Sequence, residues 1–372
     1  MAEIYIGLMS GTSLDGVDGV LIEWSDLAPP TLQVHGHCHL PFDELLASEL
    51  LALNQRGEDE LHRAALAGNA VARRYAEVVQ QLLARASRPA SAVAAIGAHG
   101  QTVRHRPQQF DGSGYTLQLN NPSLLAELTG IAVIADLRSR DLAAGGQGAP
   151  LVPAFHRAMF GNCDASLAVL NLGGIANLTL LSADGSVLGF DCGPGNALLD
   201  HWVRLHRGQA FDDAGRWAAS GRVIESLLSA LQREPYFDHP PPKSTGRDLF
   251  HADWLAQRLA LVGAADPADV QATLAELTAW ACTRDLQRLL PQARELLVCG
   301  GGAFNDHLMA RLAAGLPGMH VGSTAQRGLP PDQVEACAFA WLARAFMRRE
   351  PASLPAVTGA RGTRVLGCLY PA

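Results

Sequence analysis

Several features that would assign a chain to a class at sight are missing from this one. No stretch continues for the ~18 apolar residues that a membrane-spanning helix needs, so no span is expected. There is no basic excess: 29 Lys and Arg against 36 Asp and Glu leave a net charge of −7 at pH 7. A phosphate backbone calls for a basic face, so nucleic acid is not an expected partner. The start, Met1-Ala2-Glu3-Ile4, lacks a basic region followed by an apolar one. No signal peptide is therefore expected, and the expected location is the cytoplasm. The seven cysteines, at 38, 163, 192, 282, 299, 337 and 368, form no CxxC pair. An odd, dispersed set reads as reduced thiols, several inside apolar runs, and not as structural zinc.

What is present is a globular composition, 48% hydrophobic and 17% charged, in 372 residues, enough for two domains or one large core. Its most informative stretch comes early. Apolar runs at 4–9 and 17–22 enclose Ser10-Gly11-Thr12-Ser13-Leu14-Asp15-Gly16, rich in glycine, hydroxyls and carboxylate. The pattern predicts strand, polar turn, strand. Glycines let the backbone approach a ligand, clustered N–H groups suit a phosphate, and a magnesium ion would take the nearby carboxylates. An ordinary hairpin with a polar tip would read the same way.

A third strand is expected over 32–40, with His35, His37 and His39 on one face by alternation. Such a trio can bind a metal or simply line a solvated sheet edge. Helices are expected over 43–53 and 59–86, then a short buried strand over 93–98 landing on a His99-Gly100-Gln101-Thr102 loop. Alternation predicts a strand over 115–119, Asn121-Pro122 a helix start, and 131–135 a strand delivering Asp136 and Arg138. The Gly-, Ala- and Pro-rich stretch 141–153 marks the domain junction. The first domain is placed at 1–137 plus 351–372, the second at 138–350.

The second half repeats the opening design in outline. A strand over 166–171 runs into Gly173-Gly174, further strands follow over 177–181 and 187–190, and Asp191 is expected at the end of the last. A helix is expected from about 196, another over 271–290, then a strand over 296–299 running into Gly300-Gly301-Gly302. The final helix, 332–348, carries Glu335 in its first turn, and the tail 364–370 is expected as an edge strand or as packing on the first domain. Lys243-Ser244-Thr245 looks like the end of a Walker A loop, but the upstream glycine spacing is absent.

Three Gly-rich turns after apolar strands resemble the sugar-kinase and actin-like ATPase superfamily. That resemblance implies an α/β fold of two related, ribonuclease H-like domains with an ATP cleft between them. Seven segments are closer still. They are Gly7-Leu8-Met9-Ser10-Gly11-Thr12-Ser13-Leu14-Asp15-Gly16, His99-Gly100-Gln101-Thr102, Ala135-Asp136, Gly145-Gly146-Gln147-Gly148-Ala149-Pro150-Leu151, Phe190-Asp191-Cys192-Gly193-Pro194-Gly195-Asn196, Pro242-Lys243-Ser244-Thr245-Gly246-Arg247 and Cys299-Gly300-Gly301-Gly302-Ala303-Phe304-Asn305. In this order they resemble the anhydro-N-acetylmuramic acid kinases, although the histidines at 35, 37 and 39 are not part of that pattern.

The resemblance implies an enzyme of cell-wall recycling, a homodimer using ATP and Mg2+. Water opens the 1,6-anhydro ring of 1,6-anhydro-N-acetylmuramic acid while the γ-phosphate passes to O6, giving N-acetylmuramic acid 6-phosphate and ADP. Asp191 is the candidate base for water, or else a partner of the following helix N-terminus. Glu335 either orients water and sugar or offsets a helix N-terminus. Gly11, Thr12, Ser13, Leu14, Asp15, Gly16, Val17 and Asp18 would hold ATP, with Asp15 or Asp18 serving the metal. Asn171, Gly173 and Gly174 would form the opposing turn, and Gly300, Gly301 and Gly302 would sit near the nucleoside. His99, Gln101, Asp136, Arg138 and Gln147 are the sugar-binding candidates, with Arg138 or Lys243 for the lactyl carboxylate. Other classes remain: an actin-like ATPase or sugar-responsive binding protein, or a kinase of another amino sugar.

Overall fold

The protein is described by a computed structural model covering residues 3–11, 13–25, 31–161, 165–246 and 249–372. Its strands are β1 (Glu3–Ser10), β2 (Gly16–Ser25), β3 (Thr31–Pro41), β4 (Val93–Pro107), β5 (Gly114–Leu119) and β6 (Val133–Ala135). They continue as β7 (Leu167–Leu172), β8 (Ile175–Leu181), β9 (Val187–Pro194), β10 (Glu295–Cys299), β11 (His320–Ser323) and β12 (Cys368–Tyr370). The chain divides into two compact units, Met1–Asn162 with Gln333–Ala372, and Cys163–Asp332.

The two units repeat one sheet topology. In the first the order is β12-β6-β4-β1-β2-β3, with β5 on β4; in the second it is β11-β10-β7-β8-β9. The antiparallel meander β1-β2-β3 corresponds to β7-β8-β9, and the parallel neighbours β4 and β6 correspond to β10 and β11. The outline repeat legible in the sequence is thus a repeat of strand order and direction. This three-stranded meander with parallel strands added at its first strand is the ribonuclease H-like arrangement. The β1–β2 and β7–β8 turns lie at the carboxyl ends of strands that have parallel neighbours. In open α/β sheets that is the end where ligands bind.

In the first unit the amphipathic helix Glu60–Arg85 buries Val71, Tyr75, Val78, Val79 and Leu82 against Ile6, Leu8, Leu21 and Ile96 of the sheet. The helix Val334–Met347 covers β1 and β4, and two glycines set how closely it lies. A Cβ on Gly7 would sit 1.9 Å from the Ala336 carbonyl oxygen, and one on Gly97 would sit 2.0 Å from that of Phe339. These are backbone atoms and cannot swing aside. Gly7→Ala or Gly97→Ala should each destabilise the protein by about 3 kcal/mol or more. Chemical denaturation would show it as a lowered midpoint, and an unchanged midpoint would contradict the close approach.

This packing moves the domain boundaries. The expected division at 137/138 and 350/351 falls instead after 162 and after 332. The final helix is apolar nearly all round, and its sequence does not say which sheet it covers. Gly7 and Gly97 do. The tail behaves as expected: β12 pairs antiparallel with β6 at the edge of the first sheet.

Two strands run further than their apolar cores suggest. β4 continues through His99, Gly100 and Gln101 to Pro107, because β5 pairs with it from Gln101 onward. His99 and Gln101 therefore sit in a strand rather than in a loop. β9 continues to Pro194, so Asp191 lies within it, beside a register shift that pairs Ala176 with Gly193 but Asn177 with Asp191. Backbone pairing satisfied by a partner strand lengthens a strand through polar residues that hydropathy alone would exclude.

In the second unit, Leu170, Leu178, Phe190, Leu296 and Val298 of the sheet pack with Cys282 and Leu286 of the helix Pro267–Leu289 and with Leu308 and Leu312 of the helix Asp306–Gly315. Among the described residues no helix is long and apolar enough to cross a membrane. Among the described residues no cysteine forms a disulfide with another, and all but Cys368 are buried.

Candidate active site

The polar turn of the first unit is anchored from below. Met9 pairs with Asp18 across the hairpin. Ser10 Oγ lies 2.8 Å from Tyr75 Oη, which also accepts a hydrogen bond from the Gly100 N–H at 3.1 Å. The buried Gln101 donates its amide to the Gly11 carbonyl at 3.0 Å. Gln101 Oε1 is buried without a partner among the described residues. Above these contacts, Ser13 donates to Asp15 at 2.8 Å, and Leu14 turns through the left-handed region with φ +62°. Thr12 lies outside the described residues. Val17 is fully buried in the core and offers a ligand no exposed surface.

Asp18 is not a loose carboxylate. His37 Nε2 and His39 Nδ1 lie 3.3 and 3.0 Å from its Oδ1. Burial raises its pKa, but the hydrogen bonds and charges of the two rings outweigh that, and the net shift is down. The same hydrogen bond raises the pKa of His39, against its burial. His35 turns to Glu23, 2.9 Å away. The three histidines bind carboxylates of their own sheet. Among the described residues no group of three or more His, Cys, Asp or Glu side chains is arranged to hold a metal ion.

A second cluster forms where β4 meets the segment after β6. Arg138 donates through Nε and Nη2 to His99 Nε2 at 3.2 and 2.9 Å, and through Nη1 to the Gly148 carbonyl at 2.7 Å. Burial, helped by the Arg138 charge, lowers the His99 pKa to about 3, so the ring is neutral and its Nε2 can accept. Phe339 packs on that ring, 4.7 Å between centroids. Asp141, fully buried, accepts from the Gly148 N–H and from the Thr358 hydroxyl, at 2.8 and 2.9 Å. That contact curls the loop containing Gln147 around it, and the Gln147 N–H donates to the Thr358 carbonyl at 2.8 Å. Asp136 is exposed beside this loop at the end of β6, with φ +53°. Glu335 sits half-buried in the first turn of the helix Val334–Met347.

In the second unit Gly173-Gly174 forms the two-residue β7–β8 turn, whose carbonyls accept from the N–H groups of Gly195, Asn196 and Ala197 at 2.8–3.0 Å. Asn171 Oδ1 is buried without a partner among the described residues, like Gln101 Oε1 in the first unit. Gly300, with φ +79°, turns the chain out of β10 into a short 3-10 turn, Gly301–Phe304. The glycines differ in what they are for. A Cβ on Gly300 would meet Asn171 Oδ1 at 2.4 Å and one on Gly302 would meet Leu172 at 2.5 Å, so internal packing demands both. Around a Cβ on Gly11, Gly173 or Gly301 nothing lies closer than 3.5, 3.6 or 4.0 Å. Those positions expose bare backbone, which suits close approach of a ligand.

Asp191 is gripped by the segment 236–245. Its N–H donates to the Lys243 carbonyl at 3.1 Å, its carbonyl accepts from Tyr236 Oη at 2.7 Å, and its Oδ2 accepts from the Thr245 N–H at 3.0 Å. Burial pushes the Tyr236 pKa far up, with the Asp191 charge adding to it, so this hydroxyl keeps its proton. The helix after β9, Ala197–Arg207, has Asn196 at its N-cap, and the Asn196 amide donates to the Leu172 carbonyl at 2.9 Å. Lys243 has a different partner from the one the sequence suggests. Its ammonium is buried against Asp285, 2.8 Å away, which commits it to the protein rather than to a sugar carboxylate. Arg247 lies outside the described residues.

A family model described as "Anhydro-N-acetylmuramic acid kinase" matches residues 3–372. The chain belongs to the anhydro-N-acetylmuramic acid kinase family. A protein of that name from Variovorax paradoxus is 64% identical over 100% of this chain and 99% of its own length. Another, from Albidiferax ferrireducens, is 59% identical over 100% of both. Among solved structures, the activator of the 2-hydroxyisocaproyl-CoA dehydratase from Clostridium difficile is 12% identical, with a TM-score of 0.48, over 91% of this chain and 92% of that one.

Within this family member, sequence reading missed Tyr75, Tyr236 and Asp285. Tyr75 and Asp285 sit in amphipathic helices, Tyr236 in a 3-10 turn, and each looks like ordinary core or surface until its partner is known. One cue was available: a tyrosine hydroxyl in a buried helical stripe needs a hydrogen-bond partner.

Proposed function

We propose that this chain hydrolytically opens the 1,6-anhydro ring of 1,6-anhydro-N-acetylmuramic acid and phosphorylates O6 with ATP. The products are N-acetylmuramic acid 6-phosphate and ADP, and the step belongs to cell-wall recycling. The observation that carries this reading is Asp191, a carboxylate oriented by a backbone N–H at 3.0 Å, in a chain that belongs to this family along its whole length. A glycosidase needs two carboxylates, one for water and one for the leaving oxygen. When O6 is captured by phosphorus, one suffices. Asp191 takes a proton from water as the water oxygen bonds to the anomeric carbon. The bond from that carbon to O6 breaks, and O6 bonds to the γ-phosphorus as ADP departs.

Phosphoryl transfer asks the protein for positioning and charge neutralisation. Bare backbone at Gly11, Gly173 and Gly301, with the Ser13 hydroxyl, suits phosphate oxygens and the nucleoside. The hard oxygen donors of the hairpin suit Mg2+, which when bound neutralises phosphate charge. Asp15 is the better placed carboxylate, since it is exposed, whereas Asp18 already serves two histidines. In the first unit, Gln101 suits the N-acetyl N–H or a hydroxyl of the sugar, because the buried Gln101 Oε1 calls for an N–H or O–H. Arg138 is the cation for the lactyl carboxylate, with His99, Gln147 and Asp136 around the hydroxyls. Glu335 orients water and sugar. The protein works in the cytoplasm as a homodimer.

The test is a reaction in ¹⁸O-water with ATP and a panel of anhydro and ordinary amino sugars. One ADP should appear per phosphosugar, with label at the anomeric hydroxyl. Label in inorganic phosphate without phosphosugar would mean plain ATP hydrolysis and would end the coupled reaction. Equal turnover of an ordinary amino sugar would replace the substrate.

A further inference from the structure

We propose that the buried Lys243–Asp285 ion pair, together with the Tyr236 hydroxyl, positions Asp191 for its work on water. This rests on the reading of Asp191 as the base. Lys243 and Asp285 side chains are each 3% exposed with 2.8 Å between Nζ and Oδ2, and Arg288 meets the other carboxylate oxygen at 3.1 Å. The ammonium also lies 5.1 Å from the Tyr236 ring centroid and 5.6 Å from that of Phe190, the residue preceding Asp191. The pair thus pins one point of the 236–245 segment to the helix Pro267–Leu289. From that segment come three contacts on Asp191: the Lys243 carbonyl, the Tyr236 hydroxyl and the Thr245 N–H.

A buried ion pair is a costly way to stabilise a fold, because taking both charges out of water offsets most of their attraction. Replacing such a pair by apolar residues of similar volume is often neutral or stabilising. What the pair offers instead is a contact of fixed length and direction. Leucine and methionine would fill the same space with several rotamers. Here the fixed contact ends one residue chain away from the backbone atoms that hold the base. Pro240-Pro241-Pro242 supplies a stiff link between Tyr236 and Lys243, so displacement of either end reaches Asp191.

The test compares the double variant Lys243→Met/Asp285→Leu and the single variant Tyr236→Phe with the wild-type full-length protein. Each is measured for thermal midpoint, ATP binding, kcat, KM and the pH dependence of kcat. A positioning role predicts folded proteins with normal ATP binding and unchanged KM. In both, kcat should fall about 10–100-fold, the cost of a base misplaced by about an ångström. In the double variant the acid limb of the kcat profile should also move to higher pH, since a carboxylate that loses its N–H donor is a poorer anion. Wild-type kcat in a folded double variant would overturn the proposal. Should that variant not fold, Tyr236→Phe decides alone, and wild-type kcat there would overturn it equally. Loss of activity in Asp191→Asn with full activity in both variants would sink the positioning role while sparing the base. Full activity in Asp191→Asn would sink the base itself.

Discussion

Asp191→Asn should lower kcat by about 10²–10⁴-fold, the range that a positioned general base contributes, while ATP binds as it does to the wild type. The substitution is close to isosteric. An asparagine side-chain oxygen can still accept the Thr245 N–H that holds Asp191 Oδ2 at 3.0 Å, and the two backbone contacts of residue 191 are untouched. The loop therefore stays in place and only the basicity is removed. Since the lost interaction is made in the transition state, kcat and kcat/KM should fall together with KM little changed. Steady-state kinetics at saturating ATP and calorimetric titration with a non-hydrolysable nucleotide separate the two effects. A variant that kept more than about a tenth of wild-type turnover would remove Asp191 from this role. Glu335, half-buried at the start of a helix in the first unit, would then be the carboxylate to test next.

Acid should weaken the first unit well before its carboxylates titrate. His99 and His156 are both buried, and burial lowers each pKa to about 3, with the Arg138 charge contributing at His99. In the unfolded chain both return to about 6.5. Between those values the unfolded state binds protons that the folded state refuses, so stability falls as pH drops below 6.5 and levels off near 3. Each group costs about 1.4 kcal/mol per pH unit in that window, so the two together remove about 4 kcal/mol between pH 6.5 and 5. His105, lowered to about 4 by burial and by Arg138 and Arg106, adds to the loss with the same sign. His39 works in a different window. Its raised pKa gives stability that is fully present below 6.5 and is lost as pH rises through the folded value. Asp18, with a lowered pKa, contributes only to losses below its unfolded value near 4. Hydrogen exchange of β1 and β4 amides at pH 7, 6 and 5 would measure the trend within the first unit. A flat profile would contradict the neutral buried rings, and His156→Phe should make the slope shallower.

The polar turn between β1 and β2 was legible in the residues themselves. Glycine, hydroxyl and carboxylate between two apolar runs fit an ordinary polar hairpin as well, and it is three Gly-rich turns after apolar strands in one chain that narrow the choice. The repeat of strand order between the units was visible in outline too, because period-2 alternation and Gly-rich turns are local signals. The register was not. Strand pairing matches Met9 with Asp18 and Asp18 with His39 in the first unit, and Asn171 with Asn177 and Asn177 with Asp191 in the second. These pairings exist only across hydrogen-bonded strands, and no single segment encodes them.

Partners separated widely along the chain were equally hidden. Lys243 in a proline-rich loop reads as a cation for a ligand, yet its ammonium belongs to Asp285 on a helix. Arg138 holds His99, on a strand 39 residues earlier, through Nε and Nη2. The sequence by itself determined most of the elements, the fold class and the family, because these rest on residue type and short spacing. Only the tertiary structure decided where the units divide, which carboxylates and cations are committed to the protein, and what holds Asp191. Those outcomes depend on burial and on close approach between distant segments, as where Gly7 and Gly97 admit one helix onto a sheet, and no local pattern encodes them.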